Sequence, residues 1–286
     1  MSNTITQAQV KQFSANIHML FQQEGSVLRP YLWEKPLNGK YRYFERLAKT
    51  EAVQKTTRHS PTPNVESQHS RRRAEATDWH WNDFLDPQDE IRILIQPANE
   101  YARNAAYALG RTLDRIIIAA FNAAAFTGEE GTTSVNFPSG QVIANGGTGF
   151  TIDKLLEVKR MMDLAHVPPS GRHIVFDTYA EEDLLGTTEI TSADYNTVKA
   201  LVQGQVNSFL GFTFHKIQTE LPSSANITSA FAWHESSMGV VVGKEISTRM
   251  DERNDLSYAM QVYASATFGA VRIEDEGVVQ IDYSIA

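Results

Sequence analysis

The chain has 286 residues, a formal net charge of -8 and no cysteine. That length gives room for a sizeable core in one or two domains, and the ordinary apolar content excludes disordered and fibrous classes. Lack of cysteine rules out a disulfide framework, a thiolate metal site and a cysteine nucleophile, while the acidic balance argues against a general binder of nucleic acid or acidic membranes. Met1–Gln12 lacks the basic-then-apolar pattern of a secretory signal, and the most apolar run, Ile116–Phe126, falls far short of the roughly 18 residues that a membrane span needs. The expectation is a soluble protein made in a cytoplasm.

Val10, Phe13, Ile17, Leu20 and Phe21 share one face of a predicted helix over about Thr6–Glu24, ended by Gly25. Such a terminal amphipathic helix needs a surface to lie on, either its own body or a neighbouring subunit. Arg29–Glu34 follows with strand character. Asn38–Trp81 then reads as a long two-stranded arm, opened by the turn pair Asn38-Gly39 and turned at a tip, Ser60-Pro61-Thr62-Pro63-Asn64. Its charges are lopsided: Lys40, Arg42, Arg46, Lys49, Lys55, Arg58, Arg71, Arg72 and Arg73 against Glu45, Glu51, Glu66 and Glu75. An isolated two-stranded hairpin is marginal in water, so this one is expected to be ordered by another molecule. The favoured partner is the acidic surface of a neighbouring copy. Phosphate backbones, with Tyr41, Tyr43, Trp79 and Trp81 stacking on bases, and a plain solvated loop stay open as alternatives. His59, His69 and His80, near Asp78, Asp83 and Asp86, match no zinc spacing and are taken as surface histidines.

Pro97–Gly128 carries the longest helical pattern. Ala102, Ala105, Leu109, Leu113, Ile116, Ile117, Ala120 and Ala124 recur at three- and four-residue steps, with Asp114, Arg111 and Arg115 assigned to the wet side. At 1.5 Å per residue the run spans about 40 Å, a strut across a domain. Gly110 interrupts it at a cost of roughly 1 kcal/mol against Ala. Thr127–Gly149 reads as a flexible connection whose only strand-like piece is Gln141–Ala144. Its Asn145-Gly146-Gly147-Thr148-Gly149 run lacks the lysine of a phosphate loop.

Thr151 caps a predicted helix over Asp153–Ala165, with Leu155, Leu156, Val158 and Met162 inward. His173–Phe176 reads as a strand, Ala180–Leu185 and Ala193–Gly204 as helices, and Phe209–Lys216, Ala230–Trp233 and Gly239–Gly243 as strands. Tyr258–Tyr283 alternates as antiparallel sheet with a turn at Glu274–Gly277. The fold class is α+β. No Walker loop, HExxH, GxSxG or EF-hand occurs; Glu181-Glu182-Asp183 reads as a solvated face, and Asp251, Glu252 and Asp255 pair with Arg249 and Arg253 on the surface. No catalytic, cofactor-binding or metal-binding residue is assigned.

An N-terminal arm, a basic hairpin, a strut helix, a compact α/β unit and a closing β segment follow one another here. In this order of parts the chain resembles the major capsid protein of tailed bacteriophages, the Hong Kong 97-type fold, in a podovirus-like subfamily. The residues carrying the resemblance are Gln22-Gln23-Glu24-Gly25-Ser26-Val27-Leu28-Arg29-Pro30, Thr57-Arg58-His59 with Thr62-Pro63, Arg71-Arg72-Arg73, Ile190 through Leu201, and Ser208-Phe209-Leu210-Gly211-Phe212. The resemblance implies an N-arm over 1–36, an extended loop over 37–81 and a peripheral domain over 82–149 with its spine helix at 97–127. An axial domain over 150–243, a second peripheral pass over 244–269 and a C-terminal strand over 270–286, near the axial domain, complete it.

What the resemblance further implies is a structural, non-enzymatic shell subunit of the virion, assembled in the host bacterial cytoplasm through pentamers and hexamers of identical copies around double-stranded DNA. Subunit contacts are expected from Lys40, Arg42, Arg46, Arg58, Arg71, Arg72 and Arg73 of the loop and from Phe13 and Ile17 of the arm. The chain has no room for an internal scaffolding segment, so a separate scaffolding protein is implied, with a portal protein, weak non-specific contact to packaged DNA, and scope for a cement protein. Reversing all three of Arg71–Arg73 is expected to spare the subunit fold and block shells. The alternatives are an encapsulin-type compartment and, from another class, a metal-dependent hydrolase with dispersed His, Asp and Glu ligands.

Overall fold

A computed structural model describes residues 23–59, 61–85, 98–186, 208–217, 221–224 and 226–285. The expected arm helix with Phe13 and Ile17, Pro97 at the start of the strut and the helix over Ala193–Gly204 lie outside the described residues. A single 3₁₀ turn, Arg29–Tyr31, leads into β1 (Trp33–Pro36), so the expected strand over Arg29–Glu34 begins later, after the turn that Pro30 favours. The hairpin strands are β2 (Tyr41–Leu47) and β3 (His69–Glu75), followed by β4 (Thr77–Leu85). Next come helix α1 (Ala98–Asn122), β5 (Ala125–Thr127), β6 (Thr133–Val135), β7 (Val142–Ile143), α2 (Ile152–Leu164), β8 (Arg172–Phe176) and α3 (Thr178–Gly186). The chain closes with β9 (Ser208–Phe209), β10 (Phe212–Lys216), β11 (Ser223–Ser224), β12 (Ile227–His234), β13 (Met238–Arg253), β14 (Ala259–Arg272) and β15 (Val278–Ser284).

Among the described residues the strands form three sheets. One has the order β1-β13-β14-β4, a second β7-β15-β12-β8-β10-β9 with β11 beside β12, and the third β2-β3-β5-β6. The arm's return strand therefore stops at Glu75 and not at Trp81. The backbone of Glu75 and Ala76 presses on Gly269 of β14, where a side chain would not fit. Beyond that crossing β4 pairs antiparallel with β14, from Thr77 opposite Phe268 to Leu85 opposite Met260. Half-buried Trp81 joins the core beneath α1.

Period-two alternation places the cores. In β12, Phe231 and Trp233 pack with Leu109, Leu113, Ile117 and Phe121 of α1. Their neighbours Ala230 and Ala232 join Leu155, Val158 and Met162 of α2 in a second core. In β13, Val240 and Val242 turn to the α1 core while Val241 turns to a small third core with Phe44, Ala74, Ala125 and Ile273. Phe121 and Phe231 stack at 5.0 Å between ring centroids.

Helix α1 ends at Asn122, short of the expected limit at Gly128. Gly128 instead turns β5 into β6 with φ +99°, a hairpin not anticipated within Thr127–Gly149. Thr151 caps α2 as expected, its hydroxyl accepting from Lys154 N at 3.5 Å. Leu156, expected inward, is 46% exposed, and Lys154 is buried in its place. The Gly-rich run before α2 has a filling that explains this exchange. Lys154 Nζ donates to the carbonyl oxygens of Asn145, Thr148, Gly149 and Asp282 at 2.9–3.1 Å, so the loop turns acceptors inward and wraps a cation. A phosphate cradle needs inward N–H groups. Burial lowers the Lys154 pKa, opposed by nearby Asp183 and Asp282. Asp183 also departs from its expected solvated face: its carboxylate accepts from Phe150 N at 2.7 Å.

Candidate assembly surfaces

The hairpin has a fixed root and an uncovered tip. At the root, strand alternation splits the block Arg71-Arg72-Arg73 between two faces. Arg72, opposite Phe44, points into the body, where its side chain is 3% exposed. Its Nη2 donates to Asp275 Oδ2 at 2.7 Å and its Nε to Ile273 O at 3.4 Å. Burial lowers its pKa and Asp275 opposes that fall. Asp275 Oδ1 accepts from Arg272 Nε at 2.6 Å. Fully buried Arg272 then donates Nη1 to the carbonyls of Phe121 and Ala123 at 2.8 and 2.7 Å, taking up acceptors at the C-terminal end of α1. This chain of contacts ties the hairpin root, the end of the strut helix and the β14–β15 turn into one unit. Such a knot fixes the direction in which the hairpin leaves the body.

Arg71 and Arg73 stand on the opposite face. Arg71 stacks over Tyr43 at 5.2 Å, and Arg73 over Tyr41 at 4.5 Å and Phe126 at 4.9 Å. Lys40, exposed, lies 5.0 Å from the Tyr41 ring. Arg42 and Arg46 are half-buried on the Arg72 side. Arg46 lines a cleft of about 610 Å³ with Lys49, Ser70, Gln141, Glu274 and Glu276. Lys49 Nζ bridges one part of it to Glu276 at 3.0 Å and to Ala165 O at 3.0 Å. Arg58 sits in the tip. Of the expected contact residues, then, Arg72 is withdrawn into its own subunit, Arg71, Arg73 and Lys40 form one cationic-aromatic face, and Arg58 stands apart.

Every described residue from Leu47 to Ser70 is exposed, including Leu47 at 63%, Val53 at 60% and Val65 at 43%. No side chain there reaches a core. Three isolated aliphatic groups on a projecting ribbon gain nothing from their own subunit.

A second anchor holds the start of the described chain. Asp114 of α1, expected on the wet side, is fully buried. Its Oδ1 accepts from Ser26 Oγ at 2.5 Å and Leu28 N at 3.2 Å, its Oδ2 from Val27 N at 3.0 Å and from Gln23 Nε2. Arg29 then forks between Glu34 and Glu245, Nη1 to Glu245 at 2.9 Å and Nε to Glu34 at 2.9 Å. The guanidinium of Arg29 lowers the Glu245 pKa against a small opposing effect of burial. The arm is thus pinned to the middle of the strut just where the described residues begin.

Sequence reasoning missed Asp114, Arg272, Asp275 and Lys154. One signal was present for the first: Asp114 lies one helical turn beyond Gly110 and one before buried Ile118, in the apolar stripe. Among the described residues no group of three or more His, Asp or Glu is placed to hold a metal ion, and no helix is long and apolar enough to cross a membrane. His59 is in the tip, His69 opens β3, and His80 stacks on Tyr263 in another sheet.

The chain matches the family model described as phage capsid protein over residues 5–285. No curated protein matches. Among solved structures it is similar to the capsid of cyanophage P-SCSP1u, at 14% identity and TM-score 0.75 over 99% of this chain and 95% of that one. It is similar also to the cyanophage Pam1 capsid, at 14% identity and TM-score 0.72 over 98% of each chain. For a chain of Mycobacterium phage Che8 the values are 15% and 0.71, over 95% of this chain and 96% of that one. An α+β chain with the capsid fold from end to end, matched by that family model over nearly its whole length, belongs to the phage capsid protein family.

Proposed function

We propose that this chain is the shell-building subunit of a virion, assembling as identical copies through pentamers and hexamers around double-stranded DNA, in the host bacterial cytoplasm. The observation carrying this reading is the contrast within one hairpin: a root locked by Arg72, Asp275 and Arg272, and a tip whose described residues from Leu47 to Ser70 are all exposed. A ribbon held in a set direction with no core of its own is suited to lie on a neighbouring copy, whose acidic excess complements Lys55, Arg58 and the Arg71/Arg73 face. Contacts between copies through Lys40, Arg42, Arg46, Arg58, Arg71 and Arg73, with Phe13 and Ile17 of the arm, belong to this proposal. Arg72 acts through the root. A separate scaffolding protein, a portal and weak contact with the packaged DNA complete it.

The test is to replace residues 50–67 by a short turn and compare full chains by unfolding and by negative-stain microscopy, with and without a co-expressed scaffold. The shortened chain should unfold like the parent and form no closed particles. Normal shells from it would refute the role of the tip. Particles that hold a cargo protein and no nucleic acid would favour the encapsulin-type alternative.

A further inference from the structure

The arm root meets the seven-stranded sheet at two buried histidines. His173 of β8 and His215 of β10 lie on one face of adjacent parallel strands, offset by two residues in register. His173 Nδ1 and His215 Nε2 face each other at 3.0 Å. The Tyr31 ring lies 4.9 Å from His173 and 4.1 Å from His215, and Trp233 packs against both at 5.5 and 5.9 Å. Trp233 Nε1 donates to Tyr31 O at 3.1 Å, so one of the four rings that fill this layer also holds the backbone of the arm.

Facing nitrogens 3.0 Å apart accommodate one hydrogen between them: one ring donates and the other must offer a lone pair. His173 Nε2 is buried with no partner, so no acceptor rewards a proton there. The surrounding charges do little to favour two cations. Glu235 favours charge on His173 and His234 opposes it, the Nδ1 of His234 being engaged by Ser236. Next to the histidines on their own two strands Arg172 pairs with Asp163 and Lys216 with Glu181, and beside Tyr31 the guanidinium of Arg29 is taken by Glu34 and Glu245.

We propose that His173 and His215 form an acid-sensitive latch. While neutral, the pair seats Tyr31 and the arm root on the sheet; once both rings are protonated, two N–H groups oppose each other across the contact and the root lifts, with both large cores still folded. Burial lowers the pKa of each histidine, that of His215 to about 4, which keeps the latch shut at neutral pH.

The test uses the purified full chain and two readouts. In the first, hydrogen exchange is followed at the Tyr31 amide, which donates to Leu28 O, and at β12 amides, corrected for intrinsic rates, at about pH 7 and about pH 4. Tyr31 should lose about tenfold or more of its protection while β12 keeps its own, and a His173→Phe/His215→Phe double variant should keep both. In the second, which needs no variant, imidazole NMR signals of the two histidines should both titrate below the ordinary histidine value of about 6.5. Titration of either at or above that value overturns the proposal. So does loss of β12 protection in step with Tyr31, or a folded double variant that follows the parent.

Discussion

Gly110 of the strut helix lies so close beneath Gly25 of the arm that a Cβ on Gly110 would sit 2.5 Å from the Gly25 carbonyl carbon. Gly25 has φ +74°, so both residues at the crossing need to be glycine, one for space and the other for backbone conformation. Gly110→Ala gains up to about 1 kcal/mol of helix propensity, but overpacking against backbone costs about 1–3 kcal/mol. The variant should show a lowered urea midpoint, with exchange rising first at Ser26–Leu28. A midpoint equal to or above the parent's would mean that the crossing has slack.

Asp114 accepts from four donors of the arm, two of them backbone amides. Asp114→Asn keeps the shape but replaces one acceptor oxygen by a donor, leaving buried N–H groups unmet at about 1–3 kcal/mol. Urea unfolding should report that loss, and faster proteolysis near Arg29 should locate it. An unchanged midpoint would assign the anchoring to the Arg29 fork instead.

The three consecutive arginines should not behave alike. Arg71 has a side chain 37% exposed and Arg72 one 3% exposed. Arg71→Glu should cost no more than about 1 kcal/mol. Arg72→Glu sets a carboxylate against Asp275 in a buried site and should cost about 3–5 kcal/mol. The triple reversal therefore cannot spare the subunit; the informative variant for assembly is Arg71→Glu with Arg73→Glu. Thermal unfolding of the single variants separates these effects, and three equal losses would contradict the split between faces.

Stability should also depend on pH in a set direction. His215 titrates at about 4 in the fold against an ordinary 6.5, so the unfolded chain takes up its proton first as pH falls. Its contribution is complete above about pH 6.5, declines between about 6.5 and 4, and is constant below; at about 1.4 kcal/mol per pH unit the loss is about 3 kcal/mol. His173 shifts the same way. Urea midpoints over that window should fall less steeply for His215→Phe than for the parent. Parallel slopes would place the sensitivity in other groups.

Local patterns were legible wherever one residue's choice is made by its neighbours in the chain. The strut helix announces itself in the spacing of Leu109, Leu113 and Ile117, α2 in its Thr151 cap, and β14 and β15 in alternation; the order of these parts carried the capsid resemblance. Side chains whose partners are distant in sequence were misread. Asp114 looks solvated until Ser26–Leu28 covers it, and Arg71–Arg73 is one basic block until a pleat divides it.

What the amino-acid order determined alone is therefore the periodic framework and the exposed, basic character of the ribbon, because helix and strand periods and charge are properties of contiguous residues. What only the tertiary structure decided is which polar groups are buried and against what: Arg72 with Asp275, Asp114 with the arm, His173 with His215. A buried charge or imidazole is tolerated only where remote segments converge to meet its hydrogen-bonding groups, and that convergence is set by how the sheets and the long helix pack.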